Sequence, residues 1–310
     1  MKKLIVTADD YGVFPSIDKG IISAVLANKV NSVAAFTNYK DSVANTLHLL
    51  EVTNGEVEVG CHLTITSGKP ITNDKAKSLC KNGYFRQFNE FRREMDPAGL
   101  KSELNAQIKV FQDANIKLHH LTCHHNSLSL FPEYFEVYLE VARKHKLPIR
   151  SNNIHPPQHH SMYLQVLCYM LLDDLKLKDR KEIVTFGQEI NTYFAKQANG
   201  VKSPDILESR HYGPIPMFSI TKGQIAKKVR KKHSALDALF KSYVESNTYS
   251  SMELMLHLAQ DEIPGFNEYE EIDYPGINRR YFDSRIVEFK SIMNYDLAKA
   301  EVEMISWSAL

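Results

Sequence analysis

The sequence has few cysteines and no excess charge of either sign. Its four cysteines lie far apart without any Cys-x-x-Cys spacing, at Cys61, Cys80, Cys123 and Cys168. This spacing argues against a zinc ribbon and against a dense disulfide framework, and it favours a reducing compartment. The 38 Lys and Arg residues nearly balance the 37 Asp and Glu residues, which leaves a net charge of +1. This balance removes any general electrostatic reason to expect a nucleic-acid or membrane-surface partner, and it fits a small-molecule substrate.

Long apolar runs are also missing. Nowhere do about 18 apolar residues follow one another, which is the length that a membrane-spanning helix needs. The amino-terminal Met1-Lys2-Lys3 leads into a short apolar stretch and not into the longer apolar core of a secretory signal. We therefore expect a soluble, cytoplasmic protein without a membrane partner. The sequence leaves the oligomeric state open, with a homodimer as one option.

The first half of the chain alternates short β-like runs with amphipathic helical stretches, which is typical of parallel β/α units. Strands are predicted over residues 3–8, 31–36, 57–65, 118–123 and 147–150. Helices are predicted over 16–27, over 97–115 with Asp96 as N-cap, and over 131–144. Near the carboxyl terminus the pattern predicts a strand over 252–258, a helix over 283–295 and a strand over 303–307. The sequence thus predicts an α/β fold.

We treat residues 1–310 as a single domain with an insertion at about 151–245. The insertion opens with a turn-rich connection and continues into an apolar helix predicted over 162–175. Its basic run at 222–232 lacks interleaved aromatic residues, so we interpret that run as a solvated helix face and not as a nucleic-acid patch. No Gly-x-Gly-x-x-Gly pattern follows the first predicted strand, which argues against a nucleotide-dependent oxidoreductase.

The most informative feature is the adjacent pair Asp9 and Asp10, which closes the apolar run at 4–8. Carboxylates this close repel each other, and a cation or a proton relieves the repulsion. Successive side chains of a strand point to opposite faces, so one Asp can face a cleft while the other turns back toward the scaffold. The pair is therefore a candidate metal and acid/base site. The alternative is a loop pair that leads into the helix predicted from residue 16.

Histidines lie at two further predicted strand ends. His62 sits in the strand predicted over 57–65, and His124 and His125 follow the strand predicted over 118–123. Catalytic groups of parallel α/β folds gather at such ends. One Asp and two His from separate strands make an open-sided site for Zn²⁺ or a similar ion, with the neighbouring carboxylate as general base for metal-assisted hydrolysis. A hydrogen-bonded core histidine is the alternative for His62 and the more common situation for a lone histidine. An extended segment cannot turn both His124 and His125 to one ion.

The remaining histidines are weaker candidates. His257 ends the strand predicted over 252–258, where it could protonate a leaving group or simply pack. The other members of the two histidine clusters either begin a strand, away from the proposed site, or lie in a loop without ordered spacing. They are His119, His120, His155, His159 and His160.

Four segments together resemble the YdjC-like carbohydrate deacetylase family. Residues 4–12 resemble the family's opening "NADDFG" signature, and residues 60–71 resemble its "GxHLxLTxGxPL" segment. Residues 120–125 resemble "HLDSHxH", and residues 253–257 resemble "ELMxHPG". The likeness covers residues 1–150 well and 250–310 in part. It implies an irregular (β/α) barrel related to polysaccharide deacetylases, with a helical insertion.

The resemblance also implies chemistry at particular positions. Carried over residue by residue, Asp10, His62 and His124 are the ligands of a divalent ion, Mg²⁺ or Zn²⁺. Asp9 is then the base and His257 a candidate acid. Members of the family remove acetyl groups from N-acetylated amino sugars, notably short chitin oligosaccharides. The implied partner is thus a small N-acetylated sugar, and hydrolysis of another amide or ester by the same site is a further hypothesis.

The chain departs from the family pattern at several positions. Thr122 replaces the Asp of "HLDSH", and Asn126 stands where the last motif histidine is expected. Loss of that Asp removes either a partner that orients a ligand or a substrate contact. The competing hypothesis is therefore a non-catalytic sugar-binding or regulatory protein on a degenerate deacetylase scaffold. Arg150, at a predicted strand end, is a candidate for binding a sugar hydroxyl or an anionic group, with a surface arginine as the alternative.

Overall fold

A computed structural model shows the architecture. It describes residues 1–87, 90, 94–155, 182, 185–186, 189, 193–194, 196, 198, 200–208, 224–260 and 279–310. The strands are β1 (Lys2–Tyr11), β2 (Ser32–Ala35), β3 (Glu58–Leu63), β4 (Cys80–Lys81), β5 (Tyr84–Phe85), β6 (Leu121–Cys123), β7 (Ile154–His155), β8 (Ile206–Glu208), β9 (Ser251–Leu256) and β10 (Val302–Met304). The longer helices are α1 (Pro15–Leu26), α2 (Ser42–Val52), α3 (Pro97–Asp113), α4 (Pro132–His145), α5 (Ile225–Glu245) and α6 (Arg279–Asn294).

A parallel sheet forms the centre of the molecule. Its strands follow the order β6-β3-β2-β1-β9-β8-β7, and β10 pairs with the beginning of β1. The strand β1 lies in the middle and is buried almost throughout. A central parallel strand is covered on both faces, which explains why its sequence reads as an unbroken apolar run.

The segment at 149–155 connects the two ends of this strand order. Ile149 forms a parallel bridge with Leu121 of β6, and the Arg150 N–H donates to the Leu121 carbonyl at 3.2 Å. The chain then continues into β7, which pairs with β8 at the other end of the sheet. The sheet therefore curls into an irregular (β/α) barrel, as the family resemblance implies. The carboxyl ends of its strands face one rim.

The helices α1, α3 and α4 form where the pattern places them, because each carries an apolar face and a favourable start, whereas α2 was not predicted. Proline occupies the first turn of α1, α3 and α4, where a missing N–H costs nothing. The predicted cap of α3 is confirmed, since the Asp96 carboxylate accepts from the Ala98 and Gly99 N–H groups, each at 3.0 Å. Apolar side chains of α1, α3 and α4 pack into one large core with the sheet. In the part of the chain that the structure describes, no helix has the length and apolar character to cross a membrane.

Two predictions about the barrel wall need correction. The strand predicted over 147–150 is reduced to the single bridge at Ile149, because Pro148 has no N–H to donate to a ladder. Moreover, β7 and β8 belong to the main sheet although they fall inside the range 151–245. Strands of two or three residues are too short to leave a periodic signal. The helix predicted over 162–175 lies outside the described residues, and the single-domain organisation stays a prediction.

The basic run predicted as a solvated helix face belongs largely to α5. Lys227, Arg230 and Lys231 are exposed on this helix. Lys232 differs, because its side chain is half-buried and donates to Glu288 of α6 at 3.1 Å. The helix α5 thus uses one of its basic residues to pack against α6.

Candidate metal centre

The adjacent carboxylates lie at the carboxyl end of β1, where the strand is irregular. The pairing of β1 with β2 shifts register between Ala8 and Tyr11. Asp10 has a φ of 69°, in the left-handed region that non-glycine residues seldom adopt. This local twist lets Asp9 and Asp10 face different partners, and both side chains are buried. Strained backbone of this kind concentrates at functional sites.

Asp10 faces two histidines from neighbouring strands. Its Oδ1 lies 3.3 Å from Nε2 of His62 and 3.2 Å from Nδ1 of His124. His62 is on β3, and His124 follows β6 directly. The three candidate ligand atoms all lie within 4.8 Å of one another. The structure therefore brings together the three residues that the sequence predicts as a metal-binding set.

The second oxygen of Asp10 has a different environment. Arg285 of α6 donates to Oδ2, and Nε2 of His257 lies 4.0 Å from the same atom. Burial opposes ionisation of Asp10, but Arg285 and the two histidines outweigh it and hold the pKa of this carboxyl well below its usual range. Asp10 is thus a carboxylate with Oδ1 turned to the histidines and Oδ2 turned to the arginine.

Both histidines offer ring nitrogens that suit a metal ion. Burial lowers the pKa of His124 below the usual histidine range, which favours the neutral imidazole. Nε2 of His62 is buried and, within the described part of the chain, makes no hydrogen bond of acceptable geometry. The ring of Phe36 packs edge-on against His62 and His124, with centroids 4.8 and 5.0 Å away. A carboxylate together with two imidazole nitrogens is a donor set that suits a divalent ion such as Zn²⁺.

Asp9 is held by a buried arginine. Arg150 donates through its two terminal nitrogens to the two oxygens of Asp9, at 2.6 and 2.8 Å. The same guanidinium contacts the Glu253 carboxylate of β9 at 2.7 to 3.2 Å. Burial opposes ionisation of Asp9, but Arg150 keeps the pKa of this carboxyl below its ordinary value. Asp9 is therefore an oriented carboxylate beside the candidate metal ligands.

Arg150 is consequently neither a surface residue nor turned outward. Its side chain is only 4% exposed, and the contacts described above occupy both edges of the guanidinium. Glu253 is fully buried, and burial raises the pKa of this carboxyl although Arg150 acts against the rise. The predicted contact of Arg150 with a sugar stays a prediction. In the structure the residue orients Asp9.

His257 lies directly after β9, on the same rim. Its backbone N–H donates to the Glu288 carboxylate of α6 at 2.7 Å, which anchors this turn to the helix. Burial lowers the pKa of the His257 imidazole below the usual range. The side chain thus stands next to Asp10 as a neutral, nearly buried imidazole.

Comparison with known proteins identifies the family. The family model described as YdjC-like protein matches residues 3–300. The chain belongs to the YdjC-like family.

Relatives of this YdjC-like chain carry a common name. A protein named carbohydrate deacetylase from Vibrio vulnificus (strain CMCP6) is 30% identical over 156 residues, which cover 49% of this chain and 60% of that protein. One of the same name from Oceanobacillus iheyensis is 34% identical over 148 residues, covering 47% and 63%. The matched region thus spans less than two thirds of either relative. The crystal structure of a protein from Enterococcus faecalis V583, described as a cellobiose-phosphate cleavage protein, covers 99% of this chain and 98% of that one at 20% identity and a TM-score of 0.70, and it supports the fold.

Two further histidines of the YdjC-like chain lie outside the set of Asp10, His62 and His124, although the ring of His125 lies against that of His124, with centroids 3.8 Å apart. His125 has a φ of 55° and its Nδ1 lies 3.1 Å from the Thr66 hydroxyl, so it does not join the ligand set. His120 stacks on Trp307 with ring centroids 4.4 Å apart, at the beginning of the strands. Both placements agree with the prediction. The side chains of His155, His159 and His160 lie outside the described residues.

Sequence reasoning missed the partners of the site residues. Glu253 and Arg285 were assigned no role from the sequence. Glu253 is visible as a charged residue within an apolar strand, and Arg285 as a charged residue within the helix predicted over 283–295. A buried charge needs a partner, so each was a sign of an ion pair.

Proposed function

We propose that this chain is a metal-dependent hydrolase that removes acetyl groups from N-acetylated amino sugars or short chitin-type oligosaccharides. One observation carries the proposal: Asp10, His62 and His124 converge at the rim of the barrel beside the oriented carboxylate of Asp9. The names of the relatives from Vibrio vulnificus and Oceanobacillus iheyensis support the acetylated-sugar substrate.

Three side chains offer ligand atoms to the metal. Oδ1 of Asp10, Nε2 of His62 and Nδ1 of His124 would hold the divalent ion, Zn²⁺ or Mg²⁺. A bound ion of this kind polarises a carbonyl oxygen and lowers the pKa of water. Arg285 keeps the Asp10 carboxylate turned so that only Oδ1 faces the histidines.

Two further side chains, those of Asp9 and His257, transfer protons. Asp9 accepts a proton from the water that attacks the acetamide carbon, and Arg150 keeps Asp9 ionised and oriented for that task. The carbon–nitrogen bond then breaks, and the proton that Asp9 has taken up passes to the departing amine through the imidazole of His257, which is neutral again afterwards. The products are acetate and a free amino sugar. Arg150 and Glu253 act through Asp9 and are positioning residues.

The test is acetate release from N-acetylglucosamine and its di- and oligosaccharides, phosphorylated and not. Metal-stripped protein is assayed with Zn²⁺, Mg²⁺, Mn²⁺ or Co²⁺ restored. We expect metal-dependent release, which Asp9→Asn abolishes while the metal content stays that of the wild type. His48→Gln, an exposed substitution on α2, is the control that leaves both unchanged.

Two results would contradict the proposal. Undiminished release by Asp9→Asn removes the base assignment. Saturable sugar binding without acetate release under any metal favours the sugar-binding protein on a degenerate scaffold instead.

A further inference from the structure

Thr122 and His62 lie opposite each other on neighbouring strands. The parallel register of β3 and β6 pairs His62 with Thr122. Both side chains are buried, and the Thr122 hydroxyl oxygen is 2.7 Å from Nδ1 of His62. This contact uses the ring nitrogen that points away from Asp10.

A neutral imidazole carries one proton on one of its two nitrogens. A histidine that binds a cation through Nε2 presents the lone pair of that atom, so its proton resides on Nδ1 and needs an acceptor. Since His62 turns Nε2 toward Oδ1 of Asp10, the acceptor available to Nδ1–H is the Thr122 hydroxyl.

We propose that Thr122 is a positioning residue that accepts the Nδ1–H of His62 and so presents Nε2 of His62 to a divalent cation. This inference rests on the proposed function, because it assumes the ligand set of Asp10, His62 and His124. In the family motif this position is an Asp. The Thr122 hydroxyl, which replaces that carboxylate, thus has a role in this chain. Partners of this kind orient the ligand ring and typically change metal affinity 10–100-fold on removal.

The neighbouring contacts explain why the hydroxyl matters at this ring. Packing of Phe36 against one edge of His62 restricts the ring but specifies no proton position. The hydrogen bond to Thr122 is directional and distinguishes the two nitrogens. Removing the acceptor leaves a buried ring free to place its proton on Nε2, toward the Asp10 carboxylate, where it blocks the metal-binding lone pair.

The experiment compares Thr122→Val with Thr122→Ser in the full chain. Valine keeps the shape and loses the acceptor, whereas serine keeps the acceptor. Zn²⁺ affinity is measured by calorimetry on metal-stripped protein. We expect Thr122→Val to weaken Zn²⁺ binding by about 10–100-fold and Thr122→Ser to bind like the wild type. Thr46→Val is the matched control, since it removes another buried hydroxyl, one that donates to the Ser42 carbonyl in α2.

A second readout reports the proton itself. Side-chain nitrogen NMR of the Zn²⁺-loaded wild type and of Thr122→Ser is expected to show His62 protonated at Nδ1. Thermal unfolding in the presence of a chelator shows whether Thr122→Val folds. If it does not fold, the NMR spectrum and the Zn²⁺ affinity of Thr122→Ser still test the proposal. Three results would each overturn the role of Thr122. They are wild-type Zn²⁺ affinity in a folded Thr122→Val, Zn²⁺ affinity in Thr122→Ser as weak as that in Thr122→Val, and a proton on Nε2 of His62 in the Zn²⁺-loaded wild type.

Failure of this inference and failure of the proposed function look different. Zn²⁺ binding that depends on the Thr122 hydroxyl, without acetate release from any sugar, leaves the positioning role intact and removes the deacetylase proposal. Metal-dependent acetate release with unchanged Zn²⁺ affinity in Thr122→Val removes the positioning role alone.

Discussion

Asp18 is a buried carboxyl that shapes the turn behind the metal centre. It lies in the first turn of α1, and its Oδ1 accepts the Gly12 N–H at 2.7 Å. Gly12 has a φ of +91°, a conformation that favours glycine, two residues beyond Asp10. Burial raises the pKa of Asp18 from 3.8 to about 7, although the hydrogen bond from Gly12 counteracts part of the rise.

The raised pKa of Asp18 predicts how stability depends on pH. Between pH 3.8 and about 7 the folded state holds a proton that the unfolded chain has already released. Raising the pH therefore lowers the free energy of unfolding across this window, and the loss is complete above it. At about 1.4 kcal/mol per pH unit, an interval of roughly 3 units gives an upper limit of about 4 kcal/mol.

The substitution Asp18→Asn isolates this contribution. Asparagine stays neutral at every pH and keeps an Oδ1 acceptor for the Gly12 N–H. We expect Asp18→Asn to be more stable than the wild type at pH 8 by up to about 4 kcal/mol, with the advantage shrinking steadily toward pH 4. Urea unfolding in the presence of a chelator, at pH steps from 4 to 8, measures the difference without a contribution from metal binding.

A surface substitution provides the comparison. Asp41→Asn makes the same chemical change at an exposed residue whose side chain does not cap α2. We expect its stability to follow the wild type at every pH. The reasoning about Asp18 would be refuted if the free energies of unfolding of Asp18→Asn and the wild type changed in parallel with pH. It would also be refuted if the greater stability of Asp18→Asn increased toward low pH.

Three further predictions concern packing and ion pairs around the barrel. Arg150→Met leaves two buried carboxylates without their cation, so urea unfolding at pH 7 is expected to show a loss of about 3–5 kcal/mol. Gly60→Ala puts a Cβ 2.3 Å from Nε2 of His120, and calorimetry should show a loss of about 1–3 kcal/mol that the added change His120→Ala relieves. Glu103 accepts three hydrogen bonds from Ile71 and Thr72, so Glu103→Gln should cost about 1–3 kcal/mol and speed amide exchange at Thr72. An unchanged value in any of these assays contradicts the contact concerned.

The local pattern predicted that one Asp and two His from strand ends would meet, because parallel strands bring their carboxyl ends to one rim. The family resemblance, and not the pattern, implied that these residues are Asp10, His62 and His124. The geometry of an extended segment also predicted that His124 and His125 could not serve one ion. In the structure this segment is a 3-10 turn and not an extended strand, and His125 turns its Nδ1 to Thr66.

The partners of these residues were not predictable from any local pattern. Asp9 and Arg150 are separated by 141 residues, Arg150 and Glu253 by 103, and Asp10 and Arg285 by 275. The short strands β7 and β8 were not predicted, because two or three residues are too few to show the alternation that is typical of a strand. Only the curled sheet and the helices that pack on it bring such distant segments together.

Local patterns along the chain were thus enough to define the α/β class, most helix positions, and the residue types that gather at the rim. They carry this information because alternation, capping and strand ends depend on neighbours in sequence. The tertiary structure decided which oxygen of Asp10 faces the histidines, that Arg150 serves Asp9, and that Thr122 contacts His62. These outcomes depend on strand register and on burial, which set distances and pKa values between residues that lie far apart in the sequence.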